Sequence, residues 1–287
     1  MNYRHAFHAG NFADVLKHAV LARIVAHLGL KPAPLRYLDT HAGAGVYDLS
    51  SEAAQRTGEW RGGIGRLHDE ALAPAAEAVL EPYRRALARV DPERTLRLYP
   101  GSPEIVRALA RQEDRLLLVE KHPEEAAALR YRFGSDARVR VVERDGWTAL
   151  GAFLPPKERR GLVLVDPPFE EPGEFSRLRE GLATAHRKWA TGTYMLWYPI
   201  KDVLATEAFG RDLRGLGIPR ILRAELYLRR PRDRERLNGA GLILVNPPWT
   251  LEADLKLLLP ALAERLGEGE GARGRLDRIT AEAEPQL

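Results

Sequence analysis

Two kinds of hydrophobic pattern alternate along this chain. Short runs rich in Val, Leu and Ile recur between longer segments whose apolar residues have helical spacing. Strands that alternate with helices predict an α/β domain with a mostly parallel sheet. The predicted strands are residues 35–39, 114–120, 138–145, 161–166, 193–200, 221–228 and 239–246.

The last two predicted strands are connected differently from the first five. Only ten residues separate 221–228 from 239–246, which is too few for a crossover helix, so we expect an antiparallel hairpin. Five parallel strands followed by such a hairpin resemble the strand pattern of Rossmann-like class I methyltransferases, which depend on S-adenosylmethionine. We therefore predict a seven-stranded mixed sheet of this kind.

Residues 49–98 interrupt the alternation of strands and helices. Much of this interval is rich in Ala and Leu, and Pro74 and Pro82 break its helical pattern. We predict a small helical subdomain inserted after the first strand.

The rest of the chain divides into three parts. Residues 1–48 hold a helical segment that begins near Asn11 or Asp14, followed by the first strand. Residues 99–266 form the remainder of the methyltransferase-like domain. Residues 267–287 are rich in Gly and charge, and we expect little structure there beyond a frayed helix.

Composition excludes several classes of protein. The 287 residues are 45% hydrophobic and 29% charged, as in ordinary globular domains. The absence of cysteine excludes disulfide scaffolds, thiol nucleophiles, thiolate zinc sites and iron–sulfur clusters. No apolar run approaches the ~20 residues of a membrane span, and the N-terminus lacks the apolar core of a signal peptide. We expect a cytoplasmic protein with no membrane contact.

Charge and histidine spacing add two weaker indications. The formal net charge of +4 is only a weak pointer to a nucleic-acid partner. The eight histidines show neither HxxxH nor HExxH spacing, so we expect no bound metal.

The ends of the first three strands predict a nucleoside-bearing cofactor. Gly43 and Gly45 follow the first strand and would let the backbone approach a ligand, although such a pair also marks many ordinary tight turns. The third glycine and the helix of a dinucleotide motif are missing. Glu120 ends the second strand, where a carboxylate suits the two ribose hydroxyls. Asp145 and Gly146 end the third, next to the expected adenine.

A helix start lies near the same edge of the sheet. In Ser102-Pro103, the serine is expected to be the N-cap and the proline the first helical residue. This capping role does not require a ligand, but it would place a serine and a helix N-terminus beside the cofactor.

Two Pro-Pro motifs carry the predicted chemistry. Asp166-Pro-Pro-Phe169 follows the fourth strand and Asn246-Pro-Pro-Trp249 the seventh, and both resemble the motif of methyltransferases that act on exocyclic or amide nitrogens. The N6 lone pair of adenine is delocalised into the ring. A carboxylate and a proline-fixed carbonyl can draw the amine towards tetrahedral geometry and accept its proton. The aromatic residue would hold the extruded base by stacking. The alternative is a structural turn with a core aromatic.

Topology distinguishes the two motifs. Ligands bind beyond the carboxyl ends of parallel strands, so Asp166, Pro167 and Phe169 are the catalytic candidates. An antiparallel seventh strand would carry Asn246 to the opposite edge, where we expect a structural role. Arg159 and Arg160 should also lie on that far edge, and we assign them no role.

The loop between the sixth and seventh strands should lie at the active edge. It contains five arginines within 229–236 and two intervening acids. We expect phosphate contacts there, although a solvated run of charge is the alternative. The candidate contacts are Arg230, Arg232 and Arg234.

The opening sequence resembles a specific family. Residues 3–18, YRHAFHAGNFADVLKH, closely resemble the N-terminal signature of the RlmJ family of 23S rRNA adenine-N6 methyltransferases. The resemblance continues in order through Leu38–Gly45, Gly101–Pro103, Glu120, Asp145-Gly146, Asp166–Glu170 and Asn246–Trp249.

This resemblance implies a reaction and a set of roles. S-adenosylmethionine would give one methyl to a single flipped adenine of 23S rRNA before full subunit assembly, leaving S-adenosylhomocysteine, and the enzyme would act as a monomer. Asp166 would accept the proton, Tyr3 and Arg4 would contact RNA, and Lys17 would contact substrate or cofactor. Phe169 departs from the usual tyrosine, which puts only a hydroxyl hydrogen bond in doubt. The implied cofactor contacts are His18, His41, Gly43, Gly45, Ser102, Glu120, Asp145, Gly146 and Asp166.

Three other functions remain open at this point. A DNA adenine methyltransferase shares the chemistry but usually carries a target-recognition region larger than this insert. A protein-glutamine methyltransferase usually has Asn in place of Asp166. A noncatalytic RNA-binding assembly protein on a methyltransferase fold would not need the intact set of Gly43, Gly45, Glu120 and Asp166.

Overall fold

The computed structural model describes residues 4–281, with every side chain in that range except that of Asp69. Ten strands form one large and one small sheet. In chain order they are β1 Arg36–Asp39, β2 Val46–Asp48, β3 Leu98–Pro100, β4 Arg115–Glu120, β5 Val139–Glu143, β6 Gly161–Val165, β7 Thr193–Ile200, β8 Ile221–Tyr227, β9 Gly239–Val245 and β10 Arg273–Thr280.

Helices connect most of these strands, with single irregular turns at His5–Phe7 and Arg61–Gly65. The helices are α1 Phe12–Gly29, α2 Glu52–Thr57, α3 Arg66–Asp69, α4 Pro74–Val90, α5 Ser102–Leu109, α6 Pro123–Phe133, α7 Gly146–Ala152, α8 Glu174–Lys188, α9 Val203–Arg214 and α10 Leu251–Leu266. None of the helices in residues 4–281 combines the length and the apolar character needed to cross a membrane.

The large sheet confirms the predicted class of fold. Its strand order is β10-β8-β9-β7-β6-β1-β4-β5. The five strands from β7 to β5 in that order are mutually parallel, and β8 and β9 form the expected antiparallel hairpin. Both faces are covered, because α7, α8 and α9 contribute to one apolar core while α1, α5 and α10 contribute to the other.

The sheet has eight strands, so the prediction of seven is wrong. The additional strand, β10, lies in the segment expected to have little structure, and it pairs antiparallel with β8. Charged residues suit this strand because they form ion pairs across it. Arg275 contacts the buried Glu225 at 3.3 Å, and Asp277 contacts Arg223 at 2.8 Å.

Strand register brings the candidate residues to one edge. Asp39, the last residue of β1, is paired with Leu118 of β4 and Leu164 of β6. Glu120 and Asp166 therefore follow within two residues on the flanking strands. Strand β9 runs the opposite way, with Val245 paired to the second residue of β7. Asn246 consequently lies at the far edge, as the topology predicted.

Residues 49–98 contain α2, α3 and α4 between the small paired strands β2 and β3. Their apolar side chains do not form a core of their own. Leu80, Tyr83 and Ala86 are buried in the same cluster as Val15 and Leu16 of α1. The insert and the N-terminal helix are therefore stabilised by shared packing.

Two helix starts test the capping predictions. Asn11 caps α1, and its side-chain oxygen accepts hydrogen bonds from the amides of Ala13 and Asp14, each at 3.0 Å. The prediction for Ser102 is wrong, because Gly101 is the N-cap and Ser102 is already helical. The Ser102 hydroxyl donates instead to the buried carboxylate of Asp39 at 2.7 Å.

Candidate active site

A cavity of about 410 Å³ opens at the carboxyl edge of the parallel strands. The ends of β1, β4, β5 and β6 form its floor, and the start of α1 forms one wall. Eleven of the sequence-predicted residues line this cavity: Lys17, His18, His41, Gly43, Ser102, Glu120, Asp145, Gly146, Asp166, Pro167 and Phe169.

A buried lysine between two carboxylates occupies one wall. The Lys17 ammonium lies 2.5 Å from Asp166 Oδ2 and 2.8 Å from Asp14 Oδ1, and its side chain is only 4% exposed. Burial opposes the positive charge, but the attraction of both carboxylates outweighs it and raises the pKa of Lys17. Lys17 therefore stays charged and fixes the orientation of Asp166.

Asp14 connects this wall to the N-terminal segment. Its second oxygen, Oδ2, contacts His5 Nε2 at 2.9 Å and accepts a hydrogen bond from the Gly10 amide at 2.9 Å. Burial disfavours the charged form, yet nearby His5 and Lys17 hold the pKa of Asp14 well below its usual range. Sequence analysis gave Asp14 only a helix-start role, because its partners are brought to it by the fold.

His18 lies deeper in the same region. Its Nδ1 is 2.8 Å from the hydroxyl of Tyr99, and the two rings stack at 5.6 Å. Burial lowers the pKa of His18 to about 3, so the imidazole is neutral. Its hydrogen bond to the core gives it a structural role in addition to the cofactor contact that was predicted for it.

Asp39 supports the cavity from behind without lining it. Tyr37 and Ser102 each donate a hydroxyl hydrogen bond to Asp39 Oδ2 at 2.7 Å. Burial raises the pKa of Asp39 to about 6 despite these hydrogen bonds. The carboxylate thereby holds the Ser102 side chain at the cavity wall.

The glycine turn is closed by Glu120. The Gly43 amide donates to Glu120 Oε2 and the His122 amide to Oε1, each at 2.8 Å. Gly43 has φ +62°, and an added Cβ would lie 2.1 Å from the hydroxyl of Tyr47. Gly45 is not among the lining residues. Its left-handed conformation shapes the turn, and its carbonyl accepts a hydrogen bond from Gly101.

The end of β5 forms a second narrow wall. Asp145 caps α7 through the Trp147 amide at 2.9 Å and lies 3.0 Å from the Lys121 ammonium. A Cβ on Gly146 would lie 2.1 Å from the carbonyl oxygen of Thr40, so only glycine fits there. Next to it the His41 ring lies edge-on to Trp147 at 5.5 Å.

The Asp-Pro-Pro-Phe turn lines the opposite wall. Phe169 adopts φ +52° and packs edge-on against Phe175 at 5.1 Å and Trp197 at 5.8 Å. Three lining residues also carry a buried polar atom without a partner in the described part of the chain. These atoms are His122 Nδ1, Glu174 Oε2 and Trp197 Nε1. Buried polar atoms are rarely left unsatisfied in proteins, which favours a ligand site.

Among the predicted RNA contacts, Lys17 lines the cavity, whereas Arg4, Arg230, Arg232 and Arg234 are not part of its wall. The 229–236 loop does lie at the active edge, since β8 ends and β9 begins beside the end of β7. Its arginines are engaged with acids: Arg230 and Arg232 with Glu270, and Arg234 with Asp202. Arg4 is exposed and pairs with Glu124 at 3.1 Å. Tyr3 lies outside the described residues.

Within residues 4–281, no group of three or more His, Asp or Glu side chains is arranged to hold a metal ion.

Comparison with known proteins gives consistent matches along the chain. A family profile described as "Ribosomal RNA large subunit methyltransferase D, RlmJ" matches residues 32–279. "Ribosomal RNA large subunit methyltransferase J" of Escherichia coli K12 is 44% identical over 266 residues, covering 93% of this chain and 94% of that protein. The protein of the same name from Haemophilus influenzae is 42% identical over 274 residues, covering 95% and 96%.

A solved structure supports the same architecture. Protein LPL1258 from Legionella pneumophila superposes with a TM-score of 0.85 at 34% sequence identity, covering 94% of this chain and 98% of that one. The similarity therefore extends over the insert as well as the large sheet.

Proposed function

Because the chain belongs to the RlmJ family of ribosomal RNA large subunit methyltransferases, we propose that it transfers a methyl group from S-adenosylmethionine to N6 of a single adenine in 23S rRNA. The observation that carries the proposal is the position of Asp166-Pro-Pro-Phe169. This turn faces the glycine turn and Glu120 across one cavity, so a methyl donor and an acceptor amine can meet there.

The residues of the cavity fit this cofactor. Glu120 has lone pairs left on both oxygens after accepting two amide hydrogen bonds, and these can accept the ribose hydroxyls. Asp145 and the bare backbone at Gly146 suit an adenine ring. Ser102 and His41 lie between these groups and Asp166. The bound cofactor supplies a methyl group already activated by its sulfonium charge.

The acceptor amine would be held by Asp166 and Pro167. Lys17 occupies Asp166 Oδ2, which leaves Oδ1 to accept one N6 hydrogen while the Pro167 carbonyl accepts the other. These contacts weaken the conjugation of the amine with the ring and aim its lone pair at the methyl group. A methylated N6 that still carries its extra proton is strongly acidic. Asp166 can therefore take that proton.

The target adenine must flip out of its RNA helix to reach Asp166 inside the cavity. Phe169, already fixed by its edge contacts to Phe175 and Trp197, would stack against the flipped adenine. Arg4, Arg230, Arg232 and Arg234 would bind phosphates around the cavity, together with Tyr3. The acids that now pair with Arg4, Arg230 and Arg232 are largely exposed, so exchanging them for phosphates costs little.

The same reasoning extends to the assembly state. We also propose that the enzyme acts as a monomer. A flipped base needs space around its helix, which favours rRNA before full subunit assembly as the substrate. A ribosomal substrate also implies a cytoplasmic location.

The test uses purified protein, S-adenosylmethionine with a labelled methyl group and unmodified 23S rRNA. We expect label in N6-methyladenosine from RNA and none from duplex DNA or protein glutamine. Asp166→Asn should lower kcat by about 100-fold or more, because it removes the proton acceptor. Asn246→Gly, in the second Pro-Pro motif, tolerates the local φ of +50° and should keep the wild-type kcat.

Three results would count against this assignment. Equal labelling of DNA and of rRNA would overturn the choice of rRNA as the substrate. Label in protein glutamine would make glutamine the methyl acceptor instead. Full activity of Asp166→Asn would overturn the role of the carboxylate.

A further inference from the structure

The second Pro-Pro motif presents an exposed aromatic side chain at the far edge of the sheet. Asn246 Nδ2 donates to the carbonyls of Ala190 and Gly192 at 2.8 and 2.9 Å, which holds the turn in place. The backbone of Asn246 adopts a left-handed conformation, with φ +50°. The two prolines that follow stiffen the chain, and Trp249 emerges 83% exposed. A stiff turn of this kind fixes the point at which the indole leaves the backbone.

The surroundings of Trp249 are apolar and basic. The His27 ring lies edge-on to the indole at 6.4 Å, and Leu30, at the end of the same helix, is 79% exposed. Arg220 donates to the carbonyl of Pro247 at 3.3 Å. Arg160 donates to the carbonyls of Leu28 and Ala33, beside Lys31. Three cations thus lie on the segments that flank Trp249 and its neighbour His27.

These cations are not neutralised by neighbouring acids. Within residues 4–281, Arg160 and Arg220 donate only to backbone carbonyls and Lys31 forms no ion pair. Arg23 is the exception in this region, since it pairs with Asp254 at 2.7 Å. The 229–236 loop shows the opposite situation, because Glu268, Glu270 and Asp202 pair with its arginines. The far edge therefore offers more unbalanced positive charge than the loop beside the cavity.

We propose that the rRNA binds to a second site, which we call the Trp249 surface. Its residues are Leu30, Lys31, Arg160, Arg220 and Trp249. An unpaired nucleotide would stack on the indole, and the cations would contact the phosphates on either side of it. Stacking platforms flanked by cations are typical of proteins that bind single-stranded nucleic acid. The inference rests on the proposed function, because it assumes that the partner is the RNA substrate.

The location of the surface determines the kinetic effect. It lies at the opposite end of the strands from Asp166, so it cannot touch the target adenine or the cofactor. Its contribution should appear as affinity for RNA that extends well beyond the target stem. A short hairpin that carries only the target adenine cannot reach both places.

The experiment compares steady-state methylation of unmodified 23S rRNA with that of such a hairpin. For Trp249→Ala we expect KM for the long RNA to rise by about 5- to 20-fold, as for loss of one stacked base, with kcat unchanged. On the hairpin both constants should stay at wild-type values. Trp249→Phe keeps a stacking ring and should recover most of the affinity. Leu257→Ala, in α10, also removes an exposed apolar side chain and serves as the matched control.

Salt dependence tests the charged part of the surface. Lys31→Ala and Arg220→Ala should each reduce the slope of log affinity for long RNA against log salt by about one. The same substitutions should leave the slope for the hairpin unchanged.

Two outcomes would overturn the proposal. Equal KM values for wild type and Trp249→Ala on long RNA would exclude a contact there. A wild-type dimer in sedimentation velocity that Trp249→Ala dissociates would assign the surface to a second copy of the chain. Absence of methylation of either RNA by the wild type would instead reject the proposed function, and filter binding of long RNA to the Trp249 variants would still test this surface.

Discussion

Asp39 offers a quantitative test of how the cavity is supported. Its carboxylate is fully buried behind the glycine turn and accepts hydrogen bonds from Tyr37 and Ser102. Burial raises its pKa to about 6 from an ordinary value of 3.8. Because the folded state holds this proton more tightly than the unfolded state, ionisation of Asp39 must lower the stability of the fold.

The size of the effect follows from the shift in pKa. A difference of about two pKa units corresponds to roughly 3 kcal/mol of unfolding free energy. This stability is present below about pH 4 and is lost as the pH rises through about 6. Roughly half of this loss of stability occurs above pH 5, where acid denaturation of the rest of the protein interferes less than at lower pH.

Urea unfolding of wild type and Asp39→Asn between about pH 4 and pH 8 isolates this group. We expect the stability of the wild type relative to the variant to fall by about 2–3 kcal/mol over that range, because Asn does not titrate. Ser102→Ala removes one of the two hydroxyl hydrogen bonds to the carboxylate. It should therefore move the midpoint of the fall to higher pH.

A flat difference between wild type and Asp39→Asn across this range would refute the reasoning. It would mean that Asp39 titrates in the folded protein as it does in the unfolded chain. A difference that grows with pH in favour of the wild type would refute it more strongly, because it would show that the folded state stabilises the charge.

Three further predictions concern the cavity wall. Lys17→Met should lower the unfolding free energy by about 3–5 kcal/mol in urea, because it deprives the buried Asp14 carboxylate of the ammonium 2.8 Å away; a loss under about 1 kcal/mol would contradict the buried ion pair. Gly43→Ala should weaken binding of S-adenosylhomocysteine in calorimetry, and adding Tyr47→Phe should restore part of it, since the clash is with that hydroxyl; no recovery would assign the loss to the backbone φ. The His18 ring should remain neutral in nitrogen NMR down to about pH 4, because burial lowers its pKa to about 3; a midpoint above pH 5 would show that the ring is accessible to water.

The large sheet was predictable because its signal is local. Buried parallel strands such as β6 are continuous apolar runs, and the short link between β8 and β9 permits only a hairpin. Strand β10 escaped prediction because its residues are charged. Its stability comes from ion pairs with β8, and these depend on partners about 50 residues away.

The residues of the candidate site could be predicted from the sequence, but the contacts between them could not. Strand ends placed Glu120, Asp145 and Asp166 at one edge by topology alone. The pairing of Lys17 with Asp166 joins residues 149 positions apart, and no local pattern encodes it. The role of Ser102 was misassigned for the same reason, because its competing partner is the distant Asp39.

The distance along the chain between Lys17 and Asp166 also has a consequence for synthesis. The cavity wall extends from His5 to Leu237, so its first groups are made long before its last. A growing chain can form α1 early, but its buried ammonium has no second carboxylate until residue 166 has been added and folded. The proposed substrate is part of the ribosome, the particle that makes this chain. The enzyme is thus inactive during its own translation and can methylate rRNA only once most of the chain has been made.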